Sequence, residues 1–335
     1  MSRIVCFGEL LLRLSAPNHA LLFQTDVLKA HFGGAEANVA VGLASLGHEA
    51  AMVGCVPDHR IGDGAIEHLR RHGVDTGGVA RGGERLGLYF LTPGAGLRAS
   101  EIVYDRAGSS LATIGPGFFD WPALLRGADR LHLSGITPAL GPGPSALALE
   151  AAGAARAANV PLSFDGNYRA RLWDAWDSQP RAILGELVGH ADILFGNHRD
   201  IALLLDRPFS GDGEDRRREA AEAAFAAFPN LRLIASTARH ADAADVNRLA
   251  ARIDSRAGGF QTEAITISGI IDRIGAGDAF ATGVLHALHA GGDEAEAART
   301  GLALAALKHS LPGDASLFNQ RDIDAFHAEG LDVRR

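Results

Sequence analysis

The strongest constraint on this chain is a rhythm in which short apolar runs alternate with alanine-rich stretches of helical period. RIVCFG (3–8), AAMVGCV (50–56), RLHLSGI (130–136), VPLSFDGN (160–167), ADILFGN (191–197) and LRLIAST (231–237) read as strands with little or no polar face. EANVAVGLASLG (36–47), PSALALEAAGAARAAN (144–159) and the segments 277–290 and 293–308 read as helices. Strands that are apolar on both faces and joined by helices build a mainly parallel sheet covered by helices on both sides, so the expected fold class is α/β.

Two segments break the rhythm. Residues 9–33 begin with ELLLRLS and continue polar and aromatic, and residues 85–106, RLGLYFLTPGAGLRASEIVYDR, suggest two strands around a TPGAG turn. They are expected to pair into a small sheet projecting from the core. There is no repeat and no disordered linker, so the 335 residues are read as a single domain, 1–335, carrying these two segments within it. The charged run GDGEDRRRE (211–219) reads as a loop followed by a solvated helix start.

Composition removes several classes of function. The formal charge is −8 with no long basic block, which argues against nucleic acid as a partner. No apolar run has the length to span a bilayer, and the N-terminus enters a strand directly without the pattern of a signal peptide. Cys6 and Cys55 have no CxxC spacing and fit a reducing, cytoplasmic setting as buried small residues. Only two lysines occur, Lys29 and Lys308, and neither stands in a GxxxxGK[ST] context. A nucleotide bound here must therefore be neutralised by arginine, backbone amides and a metal. GxGxxG, GxSxG, HExxH and CxxC are all absent, which removes the usual support for a dinucleotide site.

Ligands of open α/β sheets lie beyond the carboxyl ends of the strands. Four such ends carry hydrogen-bonding groups here: Asp165, Asn167 and Arg169; Asn197 and Asp200; Ser236, Thr237 and Arg239; and the stretch DRIGAGDAF (272–280), which opens a helix. Each loop alone can be a simple polar connection. Together they favour a phosphate-rich ligand. The amides of Gly275, Ala276 and Gly277 suit an anion at a helix N-terminus, and Asp278 suits acceptance of a hydroxyl proton. A glycine turn with an ordinary acidic first helical turn explains that loop equally well by itself.

GGAEANVAVGLASLG (33–47) and DRIGAGDAFATG (272–283), in this order and separation, resemble the two signature regions of the ribokinase-like, or PfkB, carbohydrate kinases. The resemblance spans nearly the whole chain. GLYFL, IVYDRAGSS, FDGNYRARLW and ALKHSLPGD bring it nearest to the branch that phosphorylates 2-keto-3-deoxygluconate. It implies a Rossmann-like core with a β-sheet lid, ATP and Mg2+, a monovalent cation in some members, and a homodimer formed through the lids. It implies phosphorylation of the sugar acid at its terminal hydroxyl, with a fructokinase or another family sugar kinase as the alternative. A silent sugar-acid sensor on the same fold is the non-enzymatic alternative.

By position, the resemblance makes Asp278 the base and Gly275, Ala276 and Gly277 the anion hole. It places Gly34, Asn38, Tyr89, Tyr104, Arg106 and Arg169 at the sugar acid. Asn167, Asn197, Ser236, Thr237 and Arg239 fall on the nucleotide side, and Asp200 near the metal. A carboxylate-bearing substrate suits paired arginine donors, for which Arg106 and Arg169 are the candidates. Strand packing is the competing account of the two tyrosines. The chain departs from the family in having Arg273 and Ile274 where two threonines are common, and Asp200 where a glutamate is common.

Overall fold

The computed structural model describes residues 2–328. Its strands, in chain order, are β1 Arg3–Phe7, β2 Leu11–Ser15, β3 Lys29–Gly33, β4 Glu49–Val56, β5 Asp75–Arg81, β6 Gly87–Thr92 and β7 Glu101–Asp105. They continue as β8 Arg130–Ser134, β9 Leu162–Asp165, β10 Ile193–Phe195, β11 Leu233–Ala243, β12 Val246–Ser255, β13 Gly259–Gln261 and β14 Ile265–Ser268. The large sheet runs β13-β12-β11-β10-β9-β8-β1-β4-β5, with β14 also paired to β12. From β11 through to β5 every pairing is parallel.

Both faces of this sheet are buried, as the apolar runs require. In β1, Val5 and Phe7 enter one core while Ile4 and Cys6 enter the other. The first core receives Leu147 and Ala151 of helix Pro142–Ala157 and Leu184 and Leu187 of helix Pro180–His190. The second receives Val39 and Leu43 of helix Ala35–Ser45, Val284 of helix Ala276–His289 and Leu302 of helix Glu294–Lys308. Cys6 and Cys55 are buried free thiols, each pushed up by burial.

The β11 strand extends beyond the apolar stretch 231–237 and turns back as β12 in an antiparallel hairpin. Its second half, TARHADA (237–243), alternates poorly: Arg239, His240 and Ala241 are exposed. Pairing with β12, rather than burial of side chains, holds it in the sheet.

A separate four-stranded sheet has the order β3-β2-β6-β7 and is built from the two segments that broke the sequence rhythm. β2 pairs antiparallel with β3 and parallel with β6, and β6 pairs antiparallel with β7.

One buried carboxylate fixes how helix Ala35–Ser45 sits on the large sheet. Glu36 is fully buried and accepts from the Ser134 amide (2.9 Å), the Ser134 Oγ (2.8 Å) and the Thr137 Oγ1 (3.0 Å). Burial pushes its carboxyl up to about 6, against those three hydrogen bonds, which pull it down. The contact docks the first helical turn, and with it Asn38, at the carboxyl end of β8. Glu36→Ala would leave these donors buried and unpaired, at a cost of about 2–4 kcal/mol in unfolding free energy, measurable by urea denaturation. A loss under about 0.5 kcal/mol would show that the anchor is dispensable.

Candidate functional site

Two helix N-termini meet above the carboxyl edge of the large sheet. Helix Ala276–His289 begins after Gly275, whose φ of 78° is left-handed. The Asp314 carbonyl lies so close to Gly275 that any side chain there would overlap it. Glycine is therefore required twice over, by backbone conformation and by contact. The amides of Ala276, Gly277 and Asp278 occupy the first turn, where no intrahelical acceptor exists. Gly277 has open space over its α-carbon and lines the adjoining groove.

Helix Ala35–Ser45 begins after Gly34, in an extended conformation of positive φ with the Glu9 carbonyl packed against it. It carries Asn38, whose Nδ2 donates to Asp278 Oδ2 at 2.6 Å. Asp278 is pushed up to about 7, chiefly by burial, then by the nearby Asp314 and Glu36 charges; Asn38 and Arg169 act the other way. The helix dipole favours its ionised form, but burial prevails. A carboxyl raised toward neutrality in a first turn whose amides lack intrahelical acceptors is suited to exchange a proton beside an anion.

The groove beside this turn has two adjoining compartments, of about 560 and about 700 Å³. Asn197, Ser236, Thr237, Arg239 and Gly277 line both, whereas Asp165, Asn167, Arg169 and Asp200 line only the larger. Asn167 has a left-handed φ of 35°, and its amide is held by Asp165 Oδ1 at 3.1 Å. Arg169 is exposed, donates to the Tyr168 carbonyl and makes no close ion pair among the described residues. Asn197 and Asp200 form a reciprocal capping box on helix His198–Leu205, with Asn197 Oδ1 accepting from the Arg199 amide (2.8 Å) and Asp200 Oδ2 from the Asn197 amide (2.7 Å). That spacing has a local structural use, and it leaves Asp200 at the groove with its carboxyl raised by burial.

The small sheet contributes the other candidates. Tyr89 is buried and donates to Asp314 Oδ2, and Tyr104 is its register partner on β7, with ring centroids 5.8 Å apart. Tyr104 remains half exposed, with the Arg106 guanidinium 5.7 Å from its ring centre. Arg106 is buried and ion-paired to Glu9, which also accepts from Ser109 Oγ. Its guanidinium thus already has a carboxylate, unlike that of Arg169.

Asp165 gains importance from the structure. Its carboxyl is pushed up to about 8 by burial and by the neighbouring Asp278 and Asp200 charges. The sequence puts it among the polar groups at the strand ends without a role of its own. Among the described residues no group of three or more His, Cys, Asp or Glu side chains is placed to hold a metal, and no helix is long and apolar enough to cross a membrane. Arg273 donates to the Ala243 carbonyl at the turn between β11 and β12.

Residues 1–320 match the family profile described as pfkB family carbohydrate kinase. The chain is similar to the crystal structure of 2-dehydro-3-deoxygluconokinase from Thermotoga maritima, with a TM-score of 0.93 and 36% identity over 98% of this chain and 100% of that one. It is 29% identical to the 2-dehydro-3-deoxygalactonokinase of Haloferax volcanii over 96% of each chain. It is 27% identical to the 2-dehydro-3-deoxygluconokinase of Bacillus subtilis over 92% of this chain and 90% of that one.

Proposed function

The chain belongs to the pfkB family of carbohydrate kinases, and from that premise we propose that it transfers the γ-phosphoryl group of ATP to the terminal hydroxyl of 2-keto-3-deoxygluconate. The products are ADP and the sugar-acid 6-phosphate, as in an Entner–Doudoroff type of sugar-acid catabolism in the cytoplasm. The observation that carries this reading is the pairing of Asp278, its carboxyl pushed up to about 7, with the first-turn amides of a glycine-opened helix, beside a groove lined by Arg169.

In this reading the substrate hydroxyl lies against Asp278, oriented by the carboxylate that Asn38 holds. Its oxygen attacks the γ-phosphorus, the bond to the ADP oxygen breaks, and the hydroxyl proton passes to Asp278. The Gly275–Asp278 amides stabilise charge on the transferring oxygens. Ser236, Thr237, Arg239 and Asn197 bind the nucleotide along the groove. Arg169 meets the sugar-acid carboxylate, while Arg106, engaged with Glu9, supports the Tyr104 side of the pocket. The four-stranded sheet acts as a lid that keeps water from competing as acceptor.

Magnesium fits the donor set. Asp165 and Asp200 are groove carboxylates raised in pKa, and with no larger acidic cluster the ion would be held mostly by phosphates and water, as Mg2+ prefers. When bound it supplies neutralising charge across the phosphates.

The sheet that covers the site has an apolar outer face. Leu14, Leu88 and Phe90 lie on one face of it and are only half-buried, Val103 beside them is 48% exposed, and Leu12 on the same face packs against the core. A contiguous face of this kind suits a second copy of the same sheet, giving a homodimer through the lids.

Four outcomes are expected. Coupled ADP release should rise with 2-keto-3-deoxygluconate or its C4 epimer and not with fructose or ribose; comparable rates on a neutral sugar would remove the sugar-acid assignment. Asp278→Asn should lower kcat by about two orders of magnitude or more while nucleotide binding persists. In the wild type, kcat/KM should fall about tenfold per pH unit below about 7, because the base is then protonated; a flat profile from pH 5 to 8 would refute the base. Light scattering should find a dimer that Leu88→Arg converts to monomer, and a monomeric wild type at micromolar concentration would end that proposal.

A further inference from the structure

The four-stranded sheet places one strand against the hydrophobic pattern. In β2 the sequence LLRLS puts the half-buried Leu12 and Leu14 on one face and Arg13 and Ser15, with Leu11, on the fully buried one, and the Arg13 side chain is 1% exposed. Burying a guanidinium costs several kcal/mol unless it is well paired, so the reason for this orientation must lie in what Arg13 touches. Its Nη2 donates to Asp272 Oδ2 at 2.7 Å, and its Nε lies 3.2 Å from Asp314 Oδ1. Its Nη1 is buried without a hydrogen-bond partner among the described residues, so the site is not the arrangement that stability alone would choose.

Both carboxylates act directly on the anion-binding turn. Asp272 Oδ1 accepts from the Ile274 amide at 3.0 Å, immediately before Gly275, and its Oδ2 accepts from the Gly313 amide at 3.1 Å. Asp314 presses its own carbonyl against Gly275. Its carboxylate takes the hydroxyl hydrogen of Tyr89, which is the register partner of Arg13 on β6. Lys308 is the second buried cation beside the two carboxylates, with its Nζ donating to the Leu311 carbonyl at 3.1 Å. Arg13 is thus the link that ties the small sheet, the segment before Gly275 and the segment around Asp314 to one point.

We propose that Arg13 is a positioning residue for phosphoryl transfer: through Asp272 and Asp314 it sets where the Gly275–Asp278 turn stands relative to the sheet that covers it. Without Arg13, Asp272 and Asp314 would face each other with only Lys308 between them. Their repulsion would displace the two contacts that hold the turn. An ångström of displacement at a site that works by alignment can cost about a hundredfold in rate. Arg13 is not among the described residues lining the groove of Ser236, Thr237 and Arg239, so binding of ATP is spared. The proposal rests on the turn being the phosphoryl site and not on which sugar acid is bound.

The test compares Arg13→Met and Arg13→Lys with the wild type on whichever sugar acid of the panel is phosphorylated fastest, with Tm recorded for each. Arg13→Met should lose about a hundredfold in kcat with KM for ATP within about threefold of wild type. Arg13→Lys, which keeps the charge but loses the fork, should recover about a tenth of wild-type kcat. If Arg13→Met does not fold, Arg13→Lys decides alone. A folded variant with kcat within twofold of wild type, or a loss confined to KM for ATP, overturns the proposal. Asp278→Asn is the control: if it stays active, the site reading fails; if it is inactive while the Arg13 variants are normal, only the positioning role fails.

Discussion

A carboxylate in the first turn of a helix is normally held ionised by the helix dipole, and everything at this site follows from burial outweighing that effect at Asp278. Burial comes from the meeting of two helix N-termini, and Asn38 donates a direct hydrogen bond across the junction. Asn38 can do so only because Glu36, two residues earlier, is locked to the end of β8. The fold thus uses one buried acid as an anchor and leaves the other poised to titrate. The difference lies in their partners: three donors for Glu36, one side-chain amide for Asp278.

The small sheet divides its two faces by the period of the strand. One set of residues, Arg13 and Tyr89 with Tyr104 alongside, looks toward the anion turn and the polar network behind it. The other set, Leu12, Leu14, Leu88 and Phe90, lies on the opposite face and is half-buried. A one-residue slip in β2 would bury the leucines and expel Arg13, which hydrophobicity alone would favour. The ion pairs with Asp272 and Asp314 oppose that slip. Register in this sheet is therefore set by electrostatics at the site as much as by packing.

The large sheet was legible because its strands are apolar on both faces, a pattern few other environments produce. Asp278 and the glycine turn were legible as a pairing of residue types with a helix start. The hairpin of β11 and β12 was not, because its outer half gains its stability from backbone pairing and shows no period in its side chains. Arg13 was not, because LLRLS reads as a strand whose leucines face inward. The use of Asn197 and Asp200 as a capping box is a local spacing that any helix can carry, so it says nothing by itself about a metal. Arg106 illustrates a further limit: a sequence reports an arginine but not that Glu9 lies opposite it.

The loop that departs from the family pattern can be understood in the same physical terms. The side chain at 274 is apolar and its amide, not its side chain, is used, by Asp272. Arg273 reaches the other way and donates to the carbonyl of Ala243, so it ties the start of the anion turn to the hairpin that borders the groove. Burial lowers the affinity of its guanidinium for its proton, and the Arg239 charge lowers it further. The Asp245 charge acts the other way on Arg273, and an anion beside the two guanidiniums would further relieve their mutual repulsion. In a chain with two lysines, one buried behind the turn, arginine carries the positive charge on this side of the groove. The loop's conformation rests on the Asp272 carboxylate and the Asp314 carbonyl, which leaves the side chain at 273 free to serve the hairpin.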